Sequence, residues 1–162
     1  MARLTAELRQ HLGVGVAHQI GACDADGRPC LCRGLAAVEE DDGRLSVLFS
    51  ADAGFELIEA VRATRLVALV LARPTTHRSV QIKGDDAEVA MAEPRHWAWL
   101  EPRRDALARE LAQYGFGEAH VDAWYHVEPG RLARITFTPR AAWDQTPGPG
   151  AGAPIALDGN AP

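Results

Sequence analysis

The run Leu66 to Ala72, LVALVLA, constrains this chain more than any other stretch. It is far too short to cross a bilayer, which takes about 20 consecutive apolar residues. Rich in valine and leucine and followed by a proline loop, it reads as a strand, and with no polar position it predicts a strand covered on both faces. After the loop RPTTH the pattern changes. From Ser79 the residues alternate, with Val80 and Ile82 on one face and Ser79, Gln81 and Lys83 on the other.

The rest of the chain supplies companions for this strand pair. Thr5 is a natural N-cap for a short helix over 6–12, which Gly13 and Gly15 end. AHQIGAC and CLCRGLAAVEE read as strands joined by DADGRP, where Asp26-Gly27 signals a hairpin. EEDDG makes a second turn and RLSVLFS a third strand. Asp52 is expected to cap a helix over 53–63, whose Phe55, Leu57, Ile58 and Val61 have helical spacing. The alternating strand is expected to resume after GDD as AEVAMA. Residues 93–126 read as helices in pieces, with Pro94 and Pro102 at first-turn positions. Leu107, Leu111 and Tyr114 give one apolar stripe, and Val121, Trp124 and Tyr125 another. RLARITFTP closes the series as a last strand.

This order predicts an α+β fold, mainly antiparallel β, in which a small barrel carries helices on its outside. One domain is expected over residues 1–143, with a Gly, Pro and Ala-rich extended or mobile tail over 144–162. The 162 residues suffice for one sizeable core. A net charge of −5 argues against general affinity for nucleic acid or an anionic membrane, so any anion site must be local. The opening segment MARLTAELRQHLG lacks the long apolar core of a secretory signal, and a cytoplasmic protein is expected. Cys23, Cys30 and Cys32 form neither an even set nor a CxxC pair, so buried or half-buried thiols are expected rather than a disulfide or zinc framework.

Chemistry-bearing motifs are few. GVG at 13–15 lacks a preceding strand and a third glycine, and no GxSxG, HExxH or Walker pattern occurs. His120 and His126 are six apart and point away from each other on a helix, so no metal site is expected. The best candidate is RPTTHRSVQIKG, residues 73–84, which holds the only lysine, Lys83. Arg78 precedes its strand, while Ser79, Gln81 and Lys83 share one face. Such a face offers donors at fixed spacing to a planar heterocycle or a phosphate. A solvated strand face accounts for the alternation equally well.

The succession DADGRPCLCRG, GRLSVLFSADAG and LVALVLARPTTHRSVQIKG resembles the FMN-binding split barrel of the pyridoxamine 5'-phosphate oxidase-like superfamily. The likeness spans about Ala17 to Met91, with the last strand and FTPRAAWDQTPGPG as a closing segment. It implies a split β-barrel flanked by helices, working as a homodimer with flavin at the subunit interface. It implies that Arg33 reaches the flavin phosphate, that Ser50 serves phosphate or ring, and that Arg78 and Ser79 border the flavin. Gln81 and Lys83 face the same side by alternation. The basic run that follows the third strand in the oxidase is replaced here by ADAGFE, and its second-strand lysine is absent. Oxidase activity itself is therefore not implied, and the helix N-terminus near Asp52 to Gly54 would have to assist the phosphate.

Trp143, beyond the last strand, can stack on an isoalloxazine ring or anchor the tail. Trp97, Trp99 and Trp124 read as helix-face core or dimer contacts, and His77 as a loop donor or a plain exposed histidine. The function expected is an FMN-binding oxidoreductase acting on a small-molecule substrate or electron donor. The alternatives are a non-catalytic flavin or haem carrier or sensor, and a deazaflavin-dependent reductase.

Overall fold

The hairpin written by Asp26-Gly27 forms where the sequence places it. In the computed structural model, which describes residues 3–13 and 15–159, β1 (Ala17–Cys23) pairs antiparallel with β2 (Pro29–Glu39). Gly27 takes φ +79°, and the Asp24 carboxylate accepts from the Asp26 and Arg28 amides at 2.9 Å each. Thr5 caps α1 (Ala6–Gly13), its hydroxyl accepting from the Leu8 amide at 3.3 Å. β3 (Leu45–Ser50) follows, then α2 (Phe55–Thr64), β4 (Val67–Ala72), β5 (Ser79–Gly84) and β6 (Glu88–Met91). A 3-10 turn at Pro94–Trp99 leads into α3 (Leu100–Ala112) and α4 (Glu118–Tyr125). β7 (Leu132–Phe137), β8 (Ala141–Asp144) and a short β9 (Pro154–Ile155) complete the chain. Residues 160–162 of the expected tail lie outside the described residues, and the part before them turns back so that β9 pairs with β8.

All strand pairings are antiparallel, in the order β6-β7-β3-β2-β1-β4-β5-β8-β9, and the sheet is not closed. It curls around one core in which Ile20, Val47, Phe49, Leu69, Ile82 and Phe137 are fully buried. Leu4, Leu8 and Leu12 enter that core from the α1 segment, and Leu57, Ile58 and Val61 from α2. A second cluster lies on the outer face. There Leu35, Ala36, Leu48 and Leu132 pack against Leu100, Trp99 and Tyr125. The 3-10 turn and the two last helices thus cover the outer face over β2, β3 and β7 only.

Three expectations are corrected. LVALVLA is not covered on both faces: Val67, Leu69 and Leu71 are buried, but Ala68, Val70 and Ala72 are only partly so, because no helix crosses their side of the sheet. β6 does not extend β5. It crosses to the opposite edge and pairs with β7. Asp52 does not cap α2, whose N-cap is Gly54 with no side-chain bond; Asp52 binds Arg131 instead. Glycine is required at position 54 because an added Cβ would lie 2.5 Å from the Phe49 ring. Among the described residues no helix is long and apolar enough to cross a membrane.

Ile82, on β5, is fully buried in the main core. Replacing it with alanine is expected to cost about 2–5 kcal/mol, read as a lower urea midpoint with an unchanged slope.

Candidate functional site

Ladder partners in a sheet project to the same side, so register decides which side chains share a face. Reading across from β3, the Gly34↔Phe49 pairing brings Arg33 level with Ser50. Arg33 pairs with Gln19, Gln19 with Val70, Val70 with Gln81, and Gln81 with Trp143. One cross-strand row on the outer face therefore contains Ser50, Arg33, Gln81 and Trp143. Lys83 stands in the next row, level with Ala68 and Ala141. Its ammonium reaches diagonally to 4.9 Å from the Trp143 ring centroid, a cation–π contact.

Beside Gln81, Lys83 and Trp143, at the end of the row away from Arg33 and Ser50, lies a groove of about 530 Å³, a size suited to small-molecule ligands. Gly21, Ala68 and Ala141 form part of its small-residue floor, Leu31 and Leu66 rise on one side, and Gln81, Lys83 and Trp143 stand on the other. Leu31 is 74% exposed and Leu66 43% exposed, unusual for leucines in ordered structure. Asp85 also borders the groove, but its carboxylate is held by Arg140 at 3.0 Å. Three strand spacings separate Arg33 from Gln81, roughly 14 Å.

Two expected residues are used differently. Arg78 pairs with Glu7 of α1. Ser79 lies in the row beyond Gln81, yet its hydroxyl donates to the His77 carbonyl at 2.9 Å, and its amide donates to Thr146 at 3.1 Å. The loop that leads into them is strained at His77, whose φ is +56°. Arg33 lies against α4, its guanidinium carbon 3.9 Å from the Trp124 ring centroid. Sequence reading took Trp124 for core or dimer contact and did not connect it with Arg33. It also passed over Gln19, although that polar residue alternates with His18 and Ile20 on β1.

None of the six histidines lines the groove. His11, His18 and His96 are buried, with His11 Nε2 3.2 Å from the Leu71 carbonyl. His120 stacks between Phe116 and Trp124, and His126 pairs with Glu128 at 3.1 Å. Among the described residues no three His, Cys, Asp or Glu side chains gather as metal ligands. Cys23, Cys30 and Cys32 are unpaired, and burial pushes the Cys30 and Cys32 thiols up, away from thiolate chemistry.

No protein-family model matches the sequence, and no curated protein matches it either. Solved structures do share its architecture. HupZ from Group A Streptococcus aligns with a TM-score of 0.56 at 11% identity, over 93% of this chain and 98% of that one. A Lactobacillus delbrueckii protein provisionally named pyridoxamine 5'-phosphate oxidase gives 0.52 at 19% identity, over 87% and 93%. HutZ, the haem storage protein from Vibrio cholerae, gives 0.50 at 16% identity, over 88% and 94%. At such identities the likeness establishes the fold, which is the split barrel of pyridoxamine 5'-phosphate oxidase-like proteins.

His18 offers a pH test of the barrel interior behind the site. Both its ring nitrogens lack partners, and burial, with Arg103 and His11 adding to it, lowers its pKa to about 3. The unfolded chain, with the ordinary 6.5, then binds more protons between these values. Stability is full above pH 6.5 and lost as pH falls toward 3. Urea melts at about pH 4.5 should show His18→Leu spared roughly 2–3 kcal/mol of the acid loss seen in the wild type.

Proposed function

We propose that this chain is an FMN-binding oxidoreductase whose flavin lies on the outer sheet face, with a second copy of the chain closing over it. The observation that carries this reading is the single row joining Ser50, Arg33, Gln81 and Trp143, with Lys83 beside it. Its groove end is flat, apolar and floored by small residues, as a ring system needs. Gln81 and Lys83 supply donors to the ring's polar edge, and Trp143 flanks it. Arg33 and Ser50 supply donors to the phosphate at the far end of the row. When bound, FMN provides the electron transfer that these side chains do not. Lys83, as a fixed cation, favours negative charge on the ring side it faces. No groove side chain stands out as an obligatory acid or base.

Haem fits this face less well, since no histidine is available there as an axial ligand. Deazaflavin shares the ring requirement and is separated by direct comparison. The exposed Leu31 and Leu66 support burial against a second copy. Three unpaired thiols support a reducing, cytoplasmic setting.

Purified protein is expected to show flavin absorbance, or to gain it on incubation with FMN, and to bind FMN more tightly than a deazaflavin. Protein that stays colourless with FMN but gives a Soret band with haemin would reverse this reading. Lys83→Ala is expected to lower FMN affinity about tenfold, the worth of one charge-assisted contact. Arg78→Ala, which removes only the Glu7 pair, should leave affinity nearly unchanged. In sedimentation velocity, the wild type should run as a dimer and Leu31→Glu as a folded monomer.

A further inference from the structure

Among the described residues four arginines, Arg3, Arg33, Arg103 and Arg109, stand outside the ion pairs that the other arginines form. Arg3 is held by the Asp41 carbonyl at 2.7 Å and Arg109 is exposed on α3, which leaves Arg33 and Arg103. Arg73 meets Glu110 at 2.7 Å, Arg104 meets Asp122, and Arg134 meets Glu40 at 3.1 Å. Even the acidic cavity lined by Glu40, Asp41, Asp42 and Glu88 has its two arginines, Arg44 and Arg134, bound to those carboxylates. Among the described residues, neither Arg33 nor Arg103 has a carboxylate within ion-pairing distance, and neither guanidinium makes a hydrogen bond.

Both cations come from elements that meet at Trp124 and Tyr125: Arg33 lies over the Trp124 ring, and Tyr125 packs against the clusters that hold Leu100 and Leu107, a turn to either side of Arg103. Arg33 comes from β2 and is laid flat over Trp124. Arg103 comes from α3, which is fastened to α4 by Leu107, Leu111 and Val121 and by the Arg104 Nε bond to Asp122 at 2.8 Å. Tyr125, next to Trp124, lies close enough to both guanidinium groups to feel their charge. Arg103 is half-buried, and its Nε is sealed from solvent with no acceptor. Tyr125 does not supply the missing negative charge. Burial pushes its phenol up to about 12, against the pull of Arg103 and Arg33, so near neutrality it is an uncharged donor. Ser50, level with Arg33, adds a hydroxyl. In a chain of net charge −5, a donor-rich corner with two guanidinium groups free of carboxylates and a buried unpartnered N–H has the chemistry to receive an anion.

We propose that Arg33 and Arg103 together grip a phosphate monoester, with Arg103 the second cation of the site and Trp124 the positioning residue that holds Arg33 in place. The identity of the ligand rests on the flavin reading, in which this group is the terminal phosphate of FMN. The chemistry of the corner accepts free phosphate as well. Arg103 stands in for the basic run that is missing after β3, and it arrives from a helix more than fifty residues later in the chain.

The test titrates wild type and Arg103→Met with FMN, with riboflavin, which lacks the phosphate, and separately with inorganic orthophosphate. Binding is read by flavin fluorescence quenching and by thermal melting. The wild type should prefer FMN over riboflavin by about tenfold or more, and Arg103→Met should lose most of that preference with riboflavin affinity intact. Orthophosphate at millimolar concentration should raise the melting temperature of the wild type and not of the variant. Equal loss for both flavins assigns Arg103 a merely structural role and overturns the proposal. So does an FMN preference that survives in Arg103→Met, or a wild type that ignores the phosphate in every form. Should neither flavin bind while orthophosphate still stabilises through Arg103, the anion site stands and the flavin reading fails. If Arg103→Met does not fold, Arg103→Lys carries the same comparison. It keeps the charge and loses the planar fork, so it should weaken FMN alone.

Discussion

A two-residue pleat held in register across neighbouring strands is the constraint on which this site depends. Side chains of the row come from strands far apart in sequence, and only parity puts them on one side. A slip of one residue in any pairing would turn its half of the row into the core. The register is held by particular devices. The Asp26-Gly27 turn sets β1 against β2. Gly34, facing inward, leaves room for His18, whose Cβ would otherwise lie 2.8 Å from an added methyl. The irregularity between Gly34 and Ala36 then shifts the pairing so that Ala36 and Leu48 meet α3 on the outside.

The helices divide the outer face into two regions with different chemistry. Over β2, β3 and β7 they bury it with leucines and an aromatic rim. Over β1, β4, β5 and β8 they leave it open, floored by small residues. Arg33 sits on the boundary, exposed toward the open half and backed by Trp124 of the covered half. This placement lets a guanidinium be rigid without being neutralised. A carboxylate partner would have fixed it equally well but cancelled its charge.

What the sequence revealed was mostly local. Thr5, Asp26-Gly27, Pro94 and the alternation from Ser79 each act through neighbours a few residues away, and each forms the expected element. Lys83, Gln81 and Trp143 share a face because alternation is itself local, and β8 merely continues it. Long-range choices were less legible. Nothing in AEVAMA says that its partner is β7 rather than β5, since a four-residue strand carries little pairing information. LVALVLA announces two apolar faces, but hydrophobicity cannot distinguish a face awaiting a helix from one left open. Arg78 meets Glu7 across 71 positions, and Arg103 meets no carboxylate among the described residues. An arginine paired and an arginine unpaired are spelled the same way.

The edges of the sheet carry a consequence for how copies of the chain can meet. β6 is four residues long, and Glu88 on it is tied to Arg44 and Arg65 at 3.5 and 3.4 Å. β9, at the other end, is only two residues long and begins with proline. Neither edge offers a long run of free amides and carbonyls to a neighbouring strand. Continuation of the sheet from molecule to molecule is therefore discouraged at both ends, while the broad apolar face remains open. Edge addition, a mode of association with no natural stopping point, is thereby closed off by the brevity of two strands.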